Sequence, residues 1–94
     1  MGVVTQREGA TTTVVCDGEL DVQTCPEFDT ALTDALDDDS RTVVLDLRAL
    51  AFLDSTGLRS ILRARTRARG DGKRFELLRP AGSAQRVLDI SGTT

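Results

Sequence analysis

Asp54-Ser55-Thr56-Gly57 is the stretch whose side chains could do chemistry, a carboxylate followed by two hydroxyls and a residue with no side chain. A serine hydroxyl attacks a substrate only when a base takes its proton, and that base is most often histidine. The chain contains no histidine, and Asp54 alone is a poor substitute. Hydrolase readings therefore lose their support, and so does the commonest metal ligand. Cys16 and Cys25 are too few and too far apart for a zinc pattern, and neither a GxxxxGK[ST] phosphate loop nor a dinucleotide-binding glycine pattern is present. No cofactor and no metal are expected.

The elements that must position this stretch follow from apolar spacing. Asp54 to Gly57 offers several helix caps, and Leu58, Ile61, Leu62 and Arg65 continue at helical spacing toward Ala68, with Gly70 as the stop. Upstream, Thr42-Val43-Val44-Leu45-Asp46-Leu47 reads as a strand buried on both faces, central and parallel, with a helix on each side, and Arg48 to Leu53 connects it to the motif. Val3 to Gln6 and Thr12 to Cys16 are β-rich runs around the turn Arg7-Glu8-Gly9-Ala10, and Gly18-Glu19-Leu20-Asp21 leaves the second run. Thr24 and Glu27 have capping-box spacing, Pro26 suits a first turn, and Phe28, Ala31, Leu32, Ala35 and Leu36 form a helical apolar face. Asp37-Asp38-Asp39 is unfavourable at the negative end of that helix and reads as a fraying, solubilising loop. Arg74 to Leu78 forms a strand, Pro80 to Gly82 a turn, and Ser83 caps a last helix with Ala84, Val87 and Leu88.

The order is ββαβαβα, an α/β fold with a mixed, mostly parallel sheet and right-handed crossovers that bring strand ends and helix starts to one rim. Ser55 stands on that rim. One domain spanning 1–94 accommodates 12 Leu, 8 Val, 2 Ile and 3 Phe, enough for one core. No run approaches about 18 apolar residues and the N-terminus lacks a signal-peptide pattern, so a cytoplasmic protein is expected, with no membrane partner. A reducing compartment keeps Cys16 and Cys25 as thiols. The net charge of -3 disfavours direct nucleic-acid binding.

Gly18-Glu19-Leu20-Asp21, the strand Val43 to Leu47, Phe52-Leu53-Asp54-Ser55-Thr56-Gly57-Leu58 and Leu88-Asp89-Ile90-Ser91-Gly92, taken in order, resemble the STAS-domain anti-sigma factor antagonist (anti-anti-sigma factor) family of bacteria. The resemblance runs over nearly the whole chain. It implies that Ser55 accepts phosphate from an anti-sigma factor that is also a serine kinase of the GHKL type. It further implies that the unphosphorylated protein binds that partner and frees a sigma factor, and that phosphorylation turns transcription control off. The chain would be a phosphoprotein and a kinase substrate rather than an enzyme.

The same resemblance makes Asp21, Asp54, Thr56 and Gly57 partner-binding residues. Each also has a plainer reading: Asp21 as a turn aspartate, Asp54 and Thr56 as helix caps, Gly57 as a small residue in a first helical turn. Arg59, Arg63 and Arg67 make a helical stripe that either meets an acidic partner or balances the Asp-rich segments. Two other functions share the fold: an interaction module of a lipid-transport, stress-sensing or transporter-associated assembly, and a thiol regulator using Cys16 or Cys25. Relatives usually continue past the Ser91-Gly92 segment with a further strand and helix that this sequence lacks. An uncovered sheet edge would then favour a weak homodimer.

Overall fold

The computed structural model describes residues 2–80. Two β-rich runs close on a short turn as β1 (Gly2–Glu8) and β2 (Thr11–Leu20), paired antiparallel with Glu8 opposite Thr11. Helix α1 (Cys25–Asp37) leads to β3 (Thr42–Leu53), and α2 (Ser55–Gly70) leads to β4 (Arg74–Leu78). The sheet order is β1-β2-β3-β4, with β2, β3 and β4 mutually parallel. The mixed α/β sheet is therefore as expected. The final helix expected from Ser83, carrying Ala84, Val87 and Leu88, and the Leu88 to Gly92 motif lie outside the described residues.

Two successive right-handed crossovers that step the same way along a sheet deposit both helices on one face. Phe28, Leu32, Ala35 and Leu36 of α1 and Ile61, Ala64 and Ala68 of α2 accordingly join one core with Val14, Cys16, Val43, Leu45 and Leu47. Among the described residues both helices lie on one face of β3, where the sequence placed one on each side. Val44 and Asp46, also buried, point to the other face. Val44 sits between Thr13 and Glu76 in register. Arg48 forks over Asp46, with Nε donating to Oδ1 at 3.0 Å and Nη2 to Oδ2 at 2.9 Å. No helix among the described residues is long and apolar enough to cross a membrane.

β2 and β3 run further than their alternation suggests. β3 continues through Arg48 to Leu53 instead of ending at Leu47, and β2 includes Gly18 to Leu20. Two register shifts explain the difference: Val15 pairs with Asp46 but Asp17 with Ala49, and Gly18 with Leu50 but Glu19 with Phe52. Each shift inserts one extra residue in β3, so its core-facing positions run 43, 45, 47, then 50 and 53. α2 ends at Gly70, as expected, and the left-handed residue that closes it is Gly72, two positions on. Gly72 has φ +73, Lys73 N donates to Ala68 O at 2.8 Å and Gly72 N to Arg69 O at 3.2 Å, which is a Schellman motif.

Asp38 is not part of a frayed loop. Its carboxylate accepts from Thr12 Oγ1 at 2.7 Å, from Ser40 N at 2.8 Å, from Ser40 Oγ in a short contact, and from Lys73 Nζ at 3.3 Å. Lys73 Nζ also donates to Ala35 O and Asp38 O, supplying partners for the last carbonyls of α1. One carboxylate thus joins β2, the end of α1, the start of β3 and the approach to β4. Burial opposes its ionisation, but the hydrogen bonds from Ser40, Thr12 and Lys73 together outweigh it and hold the carboxyl well below the usual carboxylate range.

A carboxylate whose folded-state pKa is depressed stabilises fully above its unfolded value, about 4, and loses that contribution as pH falls toward the folded value. Asp38→Asn should lower unfolding free energy at neutral pH by about 1–3 kcal/mol through donors left without a charged acceptor. Urea denaturation between about pH 7 and pH 3 checks it: the wild type should lose stability on acidification more steeply than the variant.

Candidate functional site

Leu20 ends β2 and Leu53 ends β3, paired in register, and the chain turns from Leu53 directly into α2. Asp54 N donates to Leu20 O at 3.2 Å, so the first residue after β3 is tied to the end of β2. Asp54 is extended, at φ -103 and ψ -178, and its Oδ1 accepts from Gly57 N at 2.9 Å. It is the N-cap of α2, satisfying a donor that the helix itself cannot pair. Ser55, Thr56 and Gly57 are then the first three helical residues: Ser55 exposed, Thr56 half-buried, Gly57 buried.

Gly57 is small for a reason internal to the chain. A Cβ there would lie 2.7 Å from Leu20 Cγ and 2.7 Å from Leu53 Cδ1, both fully buried side chains. The helix start therefore packs directly on the ends of the two strands. The buried stripe of α2 continues as Ser60, Ile61, Ala64 and Ala68, while Leu58 and Leu62 are half-buried. Small residues bring the helix close to the sheet and to α1.

Asp21 begins the turn after β2, on the same rim. Its Oδ1 accepts from Gln23 N at 2.9 Å and from Thr24 N at 3.2 Å. Thr24 Oγ1 accepts from Asp21 N at 2.9 Å and donates to Glu19 O at 2.9 Å. The capping box expected between Thr24 and Glu27 does not form, because the Thr24 hydroxyl turns back to brace Asp21 and makes no cap bond to α1. Thr24 is the supporting residue that spacing alone assigned elsewhere; the Asp21-x-x-Thr24 interval was the available signal. The structure thus gathers Asp21, Asp54, Ser55, Thr56 and Gly57 at one end of the sheet.

The arginine stripe divides. Arg63 Nη2 lies 3.9 Å from Asp29 Oδ2, and Arg67 pairs with Asp37 on α1 and with Asp71 at 3.4 Å. These two arginines bind the helices to each other along a groove of about 280 Å³ floored by Leu32, Leu36 and Ala64. Arg59 is exposed one turn from Ser55.

Neither cysteine supports thiol chemistry. Both are free and buried. Burial, reinforced by Asp17 and Asp46, pushes the Cys16 thiol up to about 12, and burial raises Cys25 although Ser60 Oγ donates to its sulfur at 3.8 Å. Thiolate is the reactive form, so both are poorly reactive. Among the described residues no group of three or more His, Cys, Asp or Glu is placed to hold a metal.

A family model described as "Mlab, STAS domain" matches residues 3–94. An anti-sigma-B factor antagonist of Staphylococcus aureus is 31% identical over 75 residues, covering 80% of this chain and 69% of that protein. The crystal structure of an anti-sigma factor antagonist from Mycobacterium paratuberculosis superposes with a TM-score of 0.88 at 25% identity, over 98% of this chain and 78% of that one. Unphosphorylated SpoIIAA shares the fold, with a TM-score of 0.83 at 22% identity over 97% of this chain and 81% of that one.

Gly57→Ala should cost about 1–3 kcal/mol, since neither leucine has room to withdraw; chemical denaturation measures it, and a loss below about 0.5 kcal/mol would contradict the packing described. In the native protein at mildly alkaline pH, Cys16 and Cys25 should resist a thiol-specific alkylating reagent and react only on unfolding, as followed by mass spectrometry.

Proposed function

The chain belongs to the STAS-domain anti-sigma factor antagonist family, and we propose that it binds an anti-sigma factor kinase of the GHKL type, so freeing a sigma factor, and that phosphorylation of Ser55 switches it off. The observation that carries this reading is the exposed Ser55 hydroxyl at the first position of α2, on a rim whose backbone is fixed from beneath by Leu20, Leu53 and Gly57.

Ser55 Oγ attacks the terminal phosphorus of the nucleotide held by the kinase, the bond to the bridging oxygen breaks, and the hydroxyl proton leaves to a base on the kinase. Asp54 Oδ1 is engaged with Gly57 N as the cap of α2. The chain is a substrate in this reaction, not a catalyst. Phosphate adds about -1.5 to -2 charges. It lies next to Asp54 and, immediately after transfer, against the nucleotide diphosphate left on the kinase. Repulsion on both sides weakens the complex while the core stays packed.

Asp21 and Asp54, each held by backbone donors, Thr56 beside the acceptor, and the backbone at Gly57 form the surrounding contact surface in this reading. A second reading rests on the description of the matching family model by Mlab rather than by sigma regulation: an interaction module of a non-sigma assembly, in which Ser55 need not be phosphorylated.

Wild type and Ser55→Ala incubated with purified GHKL-type anti-sigma factor kinases and ATP separate the two. The expected outcome is one phosphate on Ser55 by peptide mass spectrometry, none on Ser55→Ala, and kinase affinity lower by at least about tenfold after modification. Phosphate elsewhere, or none with any kinase, would favour the second reading.

A further inference from the structure

Three large apolar side chains are exposed among the described residues: Val4 (55%), Val22 (67%) and Phe52 (42%). Val4 lies on β1, on the sheet face away from the helices. Val22 and Phe52 belong to the rim that carries Ser55. Val22 follows Asp21 in the turn closed by Thr24 N donating to Asp21 O at 3.2 Å. Phe52 pairs across the strands with Glu19 and precedes Leu53 and Asp54.

Neither side chain belongs to the buried core. Val22 occupies the second position of a tight turn, where a β-branched apolar residue contributes nothing that Pro, Ser or Asp would not. Phe52 sits beside a register shift, and the adjacent Leu50 and Leu53 already fill the core. Exposed apolar side chains at the end of the sheet that carries Ser55 supply contacts for a partner.

Charge says what kind of surface meets them. Residues 17–27 and 49–57, the strand ends and turns that build the rim, contain Asp17, Glu19, Asp21, Glu27 and Asp54 and no lysine or arginine. Glu19, directly opposite Phe52, is exposed. The first cation along α2 is Arg59, one turn beyond the acceptor.

We propose that Val22 and Phe52 are the apolar anchors of the kinase interface, seated in an apolar pocket whose border on the kinase is basic and faces Glu19, Asp21 and Asp54. This rests on the reading of Ser55 as the acceptor for that kinase. The anchors hold the unphosphorylated rim, and the surrounding carboxylates steer the approach and set its salt dependence. A phosphate dianion on Ser55 must lose part of its water when the kinase packs on the rim, which opposes the complex.

The test uses the full chain and the kinase that modifies Ser55. Val22→Ser and Phe52→Ser should each weaken binding by about tenfold or more, while single-turnover phosphorylation at saturating kinase stays near the wild-type rate. Val4→Ser should leave affinity unchanged. Wild-type affinity should fall as salt rises, and Glu19→Gln should flatten that dependence. Thermal unfolding of each variant checks the fold, and Val22→Ser, outside the strands, covers the case in which Phe52→Ser disturbs β3. Ser55 phosphorylation with unchanged affinity for Val22→Ser, or an equal loss in Val4→Ser, overturns the anchor assignment and leaves the acceptor reading standing. Absence of Ser55 phosphorylation by any kinase overturns both.

Discussion

The missing side chain of Gly57 is the constraint on which the acceptor end of the fold depends. Leu20 and Leu53, the last residues of neighbouring parallel strands, occupy the space a Cβ would need. This lets the first turn of α2 rest on the strand ends rather than stand off from them. The two extra residues of β3 bring Leu53 into register with Leu20 and return Leu50 to the helix side after Val43, Leu45 and Leu47. Without those shifts, strict alternation would carry Leu53 inward but turn Leu50 to the opposite face. The hydrogen bond from Asp54 N to Leu20 O then closes the joint. An exposed serine is thereby mounted on a buried support.

The opposite end of the sheet is held by charge rather than by close packing. Asp38, Lys73, Ser40 and Thr12 share one set of hydrogen bonds, and Ala10 O accepts from Arg41 N at 2.8 Å and Thr42 N at 3.1 Å. Arg7 adds an ion pair with Asp39 at 2.9 Å. The acidic end of α1, unfavourable by helix dipole alone, is tolerated because Lys73 and Arg67 supply the missing positive charge from distant parts of the chain. Among the described residues no ion pair compensates Asp21 and Asp54 of the Ser55 rim, and backbone amides bind their carboxylates instead. Cations outside the chain can still approach that rim.

Much of this was legible in residue order. The apolar face of α1, the strand Arg74–Leu78, the opening hairpin and the motif at a helix start follow directly from spacing, because each is a local property of consecutive residues. What spacing did not disclose depends on partners far along the chain. Arg48 to Phe52 breaks the period of two, and only the pairing with β2 reveals it as a bulged continuation of a strand. Asp38 looks like one of three interchangeable acids until Thr12 and Lys73 converge on it. Ile61 apart, the buried face of α2 is carried by Gly57, Ser60, Ala64 and Ala68, small residues that a search for leucines passes over. The single-sided placement of the helices follows from strand order, which no local pattern contains.

The cap also bears on how a phosphate at Ser55 would act. A helix N-terminus ordinarily welcomes an anion, since its free amides and dipole are favourable to negative charge. Here Asp54 already occupies the Gly57 amide and contributes its own charge. No lysine or arginine lies in the flanking stretches 17–27 and 49–57 to fold onto a phosphate. Phosphorylation that reorganises a protein does so by recruiting such cations into new hydrogen bonds. The strand ends and turns of this rim supply none, and Arg59, exposed one turn along α2 from Ser55, sits on the same helix, so pairing with it would leave the backbone arrangement as it is. The charge stays at the surface, where its effect falls on whatever packs against Ser55.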